Sequence, residues 1–345
     1  MIDKYISSLV FFKILISCLI LNFFAIYLGW DMFKYPDFYS SYSKCSNEFY
    51  PNILYGKLFC GLNSITGMNF THRSYTFIFL ASVINMSILI AYFKILKKYL
   101  NKNGQWLFVG LLVLHPYMGI YFFRFYTDIF ASIGIFLIFY YIINNRKIDS
   151  YFLLYGLLLM NFRVALIPVF LLHSIIEIYK NYKNYTFLYK PILLMIFSII
   201  SLIFVLDFSI NFSQINSEVR LFEKIIYNFI FTFGFRESFV GVFREVFWGG
   251  DQLNPSIQNP VLFFSEFQKL DYIAFVISII LLIIHIIGLL GIFKFSIRKK
   301  VFILVLFAYI FVPIFSIAHM RYLLPLMPIL LFGFSYILSQ KTLKI

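Results

Sequence analysis

Charge is scarce in this sequence, and negative charge is scarcest, with 15 Asp and Glu against 29 Lys and Arg in 345 residues. Only 13% of the residues are charged and 61% are hydrophobic, where a soluble domain carries about 25% and about 45–50%. No soluble fold of this length hides so much apolar surface, so the solvent has to be lipid. Three cysteines are too few for a disulfide scaffold. No spacing of His, Cys, Asp and Glu resembles a metal site, and neither a Gly-rich phosphate loop nor a nucleophile elbow is present. No internal repeat is visible, which disfavours transporter architectures built from duplicated halves.

What the chain has instead is long apolar runs, with 47 Phe and 26 Tyr and a mean hydropathy of +0.87. Backbone groups in hydrocarbon must be satisfied within a helix or a closed barrel. The runs are continuous rather than alternating, so helices are expected. Stretches close to the roughly 20 residues needed to cross lie at 8–28, 75–93, 105–122, 129–145, 191–208, 271–293, 301–317 and 322–339. The stretch 151–178 is interrupted by Asn161 and Arg163 and has basic flanks on both sides. Two short half-passes, 151–161 and 164–178, keep both flanks on one side, and irregular backbone at depth is tolerated where it lines a cavity. The expectation is an all-α integral membrane protein, a single polytopic domain over 1–345 with about ten transmembrane helices.

The net charge of +14 is explained by topology rather than by a nucleic-acid partner. Basic residues cluster at Lys4 and Lys13; at Lys94, Lys97, Lys98 and Lys102; and at Arg146 and Lys147. They continue at Lys180, Lys183 and Lys190; at Lys294, Arg298, Lys299 and Lys300; and at Lys341 and Lys344. All of these fall on one side of the expected topology, accompanied only by Asp3, Asp149 and Glu177, while the remaining charges cancel on the other. The positive-inside rule makes that side cytoplasmic and puts both termini there. Lys13 lies within the first span and no small-residue cleavage site follows it, so the span reads as a retained anchor.

Two external segments, 30–73 and 209–270, exceed the length of simple connectors. They are richer in charge, Asn, Ser and aromatics than the spans, and contain amphipathic stretches at 51–65 and 221–235. Both are expected to fold over the outer mouth of the bundle. Cys45 and Cys60 share the first of them, where a disulfide and a free pair are both chemically permitted; Cys18 lies in the first apolar run.

Several polar residues converge on that outer side. Asp31 and Asp37 follow the first span; Arg124 and Asp128 lie in the turn between the third and fourth; Arg163 marks the hairpin tip; His319 and Arg321 open the last span. Arg236, Glu237, Arg244 and Glu245 come from the second long loop. Arginine forks match phosphate oxygens bidentately and keep their charge, and a carboxylate beside them could take a proton from an attacking hydroxyl. Blander readings stand beside this one. Arg124 and Arg321 could be snorkelling anchors, Arg124 could pair with Asp128 four residues on, and Asp31 and Asp37 could be solvated loop acids. Of these acids Asp37 is preferred, because Asp37, Tyr39 and Tyr42 set it among rings of the kind sugars stack on. His115, His173 and His285 lie alone in apolar spans and read as packed or hydrogen-bonded within the bundle.

Asp37-Phe38-Tyr39-Ser40-Ser41-Tyr42 resembles the first external loop of polysaccharide polymerases of the EpsG and O-antigen polymerase (Wzy) type. Arg124 to Ala131, and Arg163-Val164-Ala165-Leu166-Ile167-Pro168 after a basic turn, are similar to those proteins and to GT-C glycosyltransferases. Arg321-Tyr322-Leu323-Leu324-Pro325-Leu326-Met327-Pro328 looks like the last span of GT-C enzymes. The resemblance implies a GT-C-like bundle with two long periplasmic loops in the bacterial inner membrane, transferring glycan from an undecaprenyl diphosphate carrier without a cofactor. Polymerisation of O-antigen or capsule repeat units is the implied reaction, with a flippase and a chain-length regulator as partners. Asp37, with Asp31, would be catalytic; Arg124, Arg163 and Arg321 would face the carrier phosphate; Asp128, His319, Arg236 and Arg244 would support them. The chain departs from these families in lacking a doubled acidic motif and a soluble C-terminal domain. A single-sugar GT-C transferase and a flippase for the same lipid-linked oligosaccharide are the alternatives.

Overall fold

The computed structural model describes residues 75–115, 127–183, 185–209, 269–296, 307–309 and 320–341. The elements are α1 (Tyr75–Leu96), α2 (Lys102–Leu114), α3 (Thr127–Ile143), α4 (Ser150–Phe162), α5 (Ile167–Asn181), α6 (Tyr185–Ser209), α7 (Lys269–Ser296) and α8 (Met327–Lys341). Short 3-10 segments occupy Lys97–Tyr99, Val164–Leu166 and Met320–Leu326, and no strand occurs among the described residues. Four helical segments are long and apolar enough to cross a membrane: Leu80–Tyr99, Val164–Asn181, Tyr185–Ile203 and Leu323–Gln340. Shorter apolar helices span Asp128–Ile143, Ser150–Phe162 and Ile279–Phe295. The expected span 8–28, the end of 105–122, most of 301–317, the long segment 30–73, nearly all of 209–270 and all three cysteines lie outside the described residues.

Local chemistry sets the helix ends. The Asn101 side chain accepts the Gly104 N–H at 2.7 Å, capping α2, and donates to the Ser339 carbonyl at 2.9 Å, which ties that cap to α8. At the end of α3, Asn145 adopts φ 51°. The Arg146 N–H reaches back to Tyr141 O at 2.9 Å and the Asn145 N–H to Ile142 O at 3.3 Å, the bonding pattern of a Schellman ending. Four residues later Asp149 caps α4. Its Oδ1 accepts the Phe152 N–H at 2.8 Å and its Oδ2 accepts the Tyr141 hydroxyl at 2.6 Å. The α3–α4 turn is therefore closed from both sides by bonds to one helix or the other.

Burial of Asp149 works against its charge, but the Tyr141 hydroxyl, the backbone N–H groups of Phe152 and Tyr151 and the nearby Lys190 outweigh it and hold the carboxyl below the ordinary value. A carboxyl lowered on folding adds stability that is complete above its unfolded pKa of about 3.9 and is lost as pH falls through its lower folded value. Asp149→Ala removes the cap at every pH and is expected to cost about 1–2 kcal/mol. A thermal melt in detergent at neutral pH checks this, and an unchanged midpoint refutes it.

Residue pairings show how the helices run. Along α3 and α4, Tyr141 meets Phe152 with ring centroids 4.5 Å apart, and Phe130 stacks on Phe162 at 4.2 Å and 8°. The two helices are antiparallel over almost the full length of α3. Phe152 in turn meets Phe170 at 5.7 Å and His173 at 5.2 Å, so α4 and α5 also run antiparallel about Arg163. Gly156 lies under Leu194, and Ser198 reaches the Met160 sulfur at 3.3 Å, which makes α4 and α6 parallel. Phe295 packs on both Phe332 and Tyr336, at 5.1 and 5.4 Å, so α7 and α8 are parallel too.

The residues expected to form a hairpin do form one, and the α3–α4 pairing carries its tip to the end of the bundle where α3 begins. Its first arm, Ser150–Phe162, is among the shorter apolar helices, while its second, Val164–Asn181, is long and apolar enough to cross a membrane. Two further boundaries differ from the hydropathy reading. Helix α6 starts at Tyr185 rather than 191, with Lys190 and Pro191 inside it, because a long lysine can snorkel from the first turns of a span. The last span opens as a 3-10 segment through Pro325, where Pro325 and Pro328 withhold the N–H groups that a regular α-helix would use.

Placed by these pairings, Lys94, Lys97, Lys98, Lys102, Arg146, Lys147, Lys180, Lys183, Lys190, Lys294 and Lys341 all belong to one end of the bundle. Arg163, Lys269 and Arg321 are the described cations of the other end. Helix α8 is central, with 72% of its spanning window buried, whereas only 17% of that window in α6 is buried, so α6 is peripheral.

Candidate functional site

Backbone constraint places Arg163. Its N–H still bonds Leu159 O at 2.9 Å, but its φ of −147° and ψ of 104° are extended, so α4 stops there. The Val164–Leu166 turn then redirects the chain, its Leu166 N–H bonding Arg163 O at 3.0 Å. Helix α3 supplies Asp128 in its first turn, and Ser132 Oγ donates to the Asp128 carbonyl at 2.9 Å. Leu166 fills the space beside Gly134, where a methyl group would stand 2.6 Å from its Cδ1. This glycine lets the turn settle on α3.

The two charged groups meet there. Arg163 Nη2 lies 3.2 Å from Asp128 Oδ1, with side-chain exposures of 11% and 2%. Two opposite charges are thus nearly removed from solvent at the bundle end away from the lysine-rich one. Such a pair is costly to form, and removing one partner alone typically costs about 3–5 kcal/mol. Chemically it offers an arginine fork for oxyanions and a carboxylate able to accept a proton. The arginine that sequence leaves without a nearby acid therefore has one, 35 residues back along the chain. No local spacing points to that partner.

Of the other expected site residues, Arg321 is the second residue of the 3-10 segment that packs against α3, which puts its backbone at the same end as Asp128. Asp31, Asp37, Arg124, Arg236, Arg244 and His319 lie outside the described residues.

A second polar cluster was not anticipated as a cluster. His115, which closes α2, and His285 in α7 face each other with Nε2 atoms 3.0 Å apart and rings stacked at 5.2 Å. One ring donates and the other accepts, which fixes opposite tautomers for a neutral pair. Counting helix rise, the pair lies roughly 16–20 Å from the lysine-rich end, near the middle of a hydrocarbon layer about 30 Å thick. His173 is packed on Phe152, and no hydrogen bond from a described residue reaches its ring nitrogens. No group of three or more His, Cys, Asp or Glu able to hold a metal ion occurs among the described residues.

Comparison with known proteins returns no matching family model, no similar curated protein and no similar solved structure.

Proposed function

We propose that this chain is a glycosyl-transferring enzyme of envelope polysaccharide assembly. It polymerises undecaprenyl-diphosphate-linked O-antigen or capsule repeat units on the outer face of a bacterial inner membrane. In this reading about ten passes, with both termini cytoplasmic, place the lysine-rich end inside and the Arg163–Asp128 end outside. The observation that carries it is the buried ion pair of Arg163 and Asp128 at that outer end. Ionisable groups removed from water in a membrane bundle mark substrate paths, and an arginine at the rim suits a diphosphate whose lipid tail stays in the bilayer.

In the reaction, an acceptor sugar hydroxyl attacks the anomeric carbon of the donor glycan. The bond from that carbon to the diphosphate oxygen breaks, and undecaprenyl diphosphate leaves with the bonding electrons. The hydroxyl proton passes to a carboxylate, for which Asp37 is the first choice and Asp31 the second. Arg163, with Arg124 and Arg321, offsets the charge gathering on the departing diphosphate.

Deleting the gene and resolving surface polysaccharide on a gel tests the reading. A ladder of lengths that collapses to core plus one repeat supports polymerisation. A ladder that persists with altered rung spacing assigns the chain to the single-sugar transferases. Loss of all surface repeats, with lipid-linked repeats accumulating on the cytoplasmic side, assigns it to the flippases.

A further inference from the structure

At the lysine-rich end of the bundle, cations backed by aromatic rings gather between the α3–α4 turn and the start of α6, where Lys180 pairs instead with Glu177; elsewhere at that end Lys98 lies over Tyr99 at 4.9 Å. Arg146 lies over Tyr140 at 4.9 Å, Lys147 over Phe187 at 4.3 Å, Lys190 over Tyr189 at 5.4 Å and Lys183 over Tyr182 at 5.6 Å. Such contacts restrict long side chains that otherwise sample many rotamers.

Both acids of the neighbourhood are engaged internally. Asp149 spends one oxygen on the Phe152 N–H and the other on the Tyr141 hydroxyl. Glu177 is buried, 3.6 Å from Lys180 Nζ, and accepts from Asn181 Nδ2 at 3.3 Å. Asp149 also lies near Lys190 and Glu177 near Lys147, but the four ridge cations, with Lys180, outnumber these two acids, so the ridge keeps a net positive charge.

Directly beyond the charges, along α6 and the parallel α4, the surface turns apolar. Leu193, Ile196, Phe197 and Ile200 on α6 and Leu154 and Leu158 on α4 are all exposed. Tyr151 and Tyr185, 72% and 83% exposed, mark the level where charge gives way to hydrocarbon. Cations in a row, aromatics at the boundary and an apolar wall below repeat, in order, the phosphate, glycerol and acyl zones of a phospholipid.

From this juxtaposition we infer that the ridge formed by Arg146, Lys147, Lys183 and Lys190, with the exposed wall of α4 and α6 beneath it, is a binding site for an anionic glycerophospholipid. Its phosphate sits between Lys147, which lies over Phe187, and Lys190, three residues further along α6, and its acyl chains lie along α6. The site is on the opposite end of the bundle from the Arg163–Asp128 pair and does not depend on the proposed reaction. Charge complementarity selects the occupant. A zwitterionic lipid offers the same acyl chains, but its own ammonium group opposes the lysines.

The test is native mass spectrometry of the full chain in detergent, titrated in turn with phosphatidylglycerol and phosphatidylcholine of the same acyl composition. Phosphatidylglycerol adducts are expected to dominate, and Lys147→Ala combined with Lys190→Ala to weaken them about 30-fold. Each lysine near an anionic headgroup contributes about a fivefold factor. Lys98→Ala with Lys102→Ala, at the same end but away from the ridge, is the matched control and is expected to leave the adducts unchanged. Equal binding of the two lipids, or equal losses from both double variants, overturns the inference by reducing it to bulk charge. Competition by free glycerophosphoglycerol as strong as that by the intact lipid also overturns it, since the apolar wall then contributes nothing.

Discussion

Polysaccharide elongation is expected to fall about 10²–10³-fold in an Arg163→Lys variant, the scale seen when one pre-organised charge-stabilising donor is lost from an active site. Lysine keeps the positive charge beside Asp128 but has no planar fork, so it can hold the ion pair while contacting a diphosphate through a single point. Arg163→Ala tests something else. It leaves the Asp128 carboxylate, only 2% exposed, without the cation 3.2 Å away, and the resulting loss of about 3–5 kcal/mol should lower the amount of folded protein. The exchange Asp128→Arg with Arg163→Asp separates the two roles. A purely structural pair tolerates the swap in both abundance and activity. A phosphate-facing arginine tolerates it in abundance alone, because the fork has moved from the hairpin tip to α3. Full elongation by the swapped protein, at normal membrane levels, would sink the assignment of Arg163 to the carrier phosphate.

A second large loss of stability is expected in Gly291→Leu. Helices α7 and α8 are parallel neighbours, and at Gly288, Gly291 and Gly333 their backbones touch. A Cβ on Gly291 would run into the Gly333 carbonyl, and one on Gly288 into that of Leu330. Backbone carbonyls in packed helices cannot swing aside as a side-chain tip can, so the helices must part along their length. Overpacking of a core costs about 1–3 kcal/mol. Here the obstruction is main chain and α8 is the most buried span, so the upper part of that range or more is expected. Small residues that allow close approach are a main source of helix affinity in lipid. Gly110→Ala supplies the contrast, because a methyl group there meets nothing within 4 Å. It should stabilise α2 by up to about 1 kcal/mol through helix propensity. Melting curves of the two variants in the same detergent check the pair of outcomes. Equal effects from both would mean the α7–α8 contact is looser than described.

Sequence reading went furthest where one local quantity decides the outcome. Apolar run length located the described spans to within a few residues for α1, α3 and α7, because the thickness of hydrocarbon is a strong constraint. The polar interruption at Arg163, flanked by basic segments, was enough to anticipate a turn there. The unequal length of its arms was not readable in the same way, because the apolar run continues on both sides of Arg163 while the helix before it has only 13 residues. The partner of Asp128 shows the same limit. Spacing offers Arg124, which lies outside the described residues, but gives no hint of the ion pair that Asp128 makes with Arg163. His115 and His285 look solitary for the same reason, being 170 residues apart. Propensity and periodicity see neighbours in sequence, and these pairs are neighbours only through packing.

The touching backbones of α7 and α8 also carry a temporal consequence. Gly291 is synthesised roughly forty residues before Gly333, a delay of a few seconds at about 5–20 residues per second. Until α8 follows, the glycine face of α7 lacks the partner it meets in the folded protein. A nascent chain is therefore recognisable as unfinished by that face alone, and any protease or insertion chaperone that surveys lipid-exposed glycine faces has a window in which to hold it. The arrival of α8 closes the window.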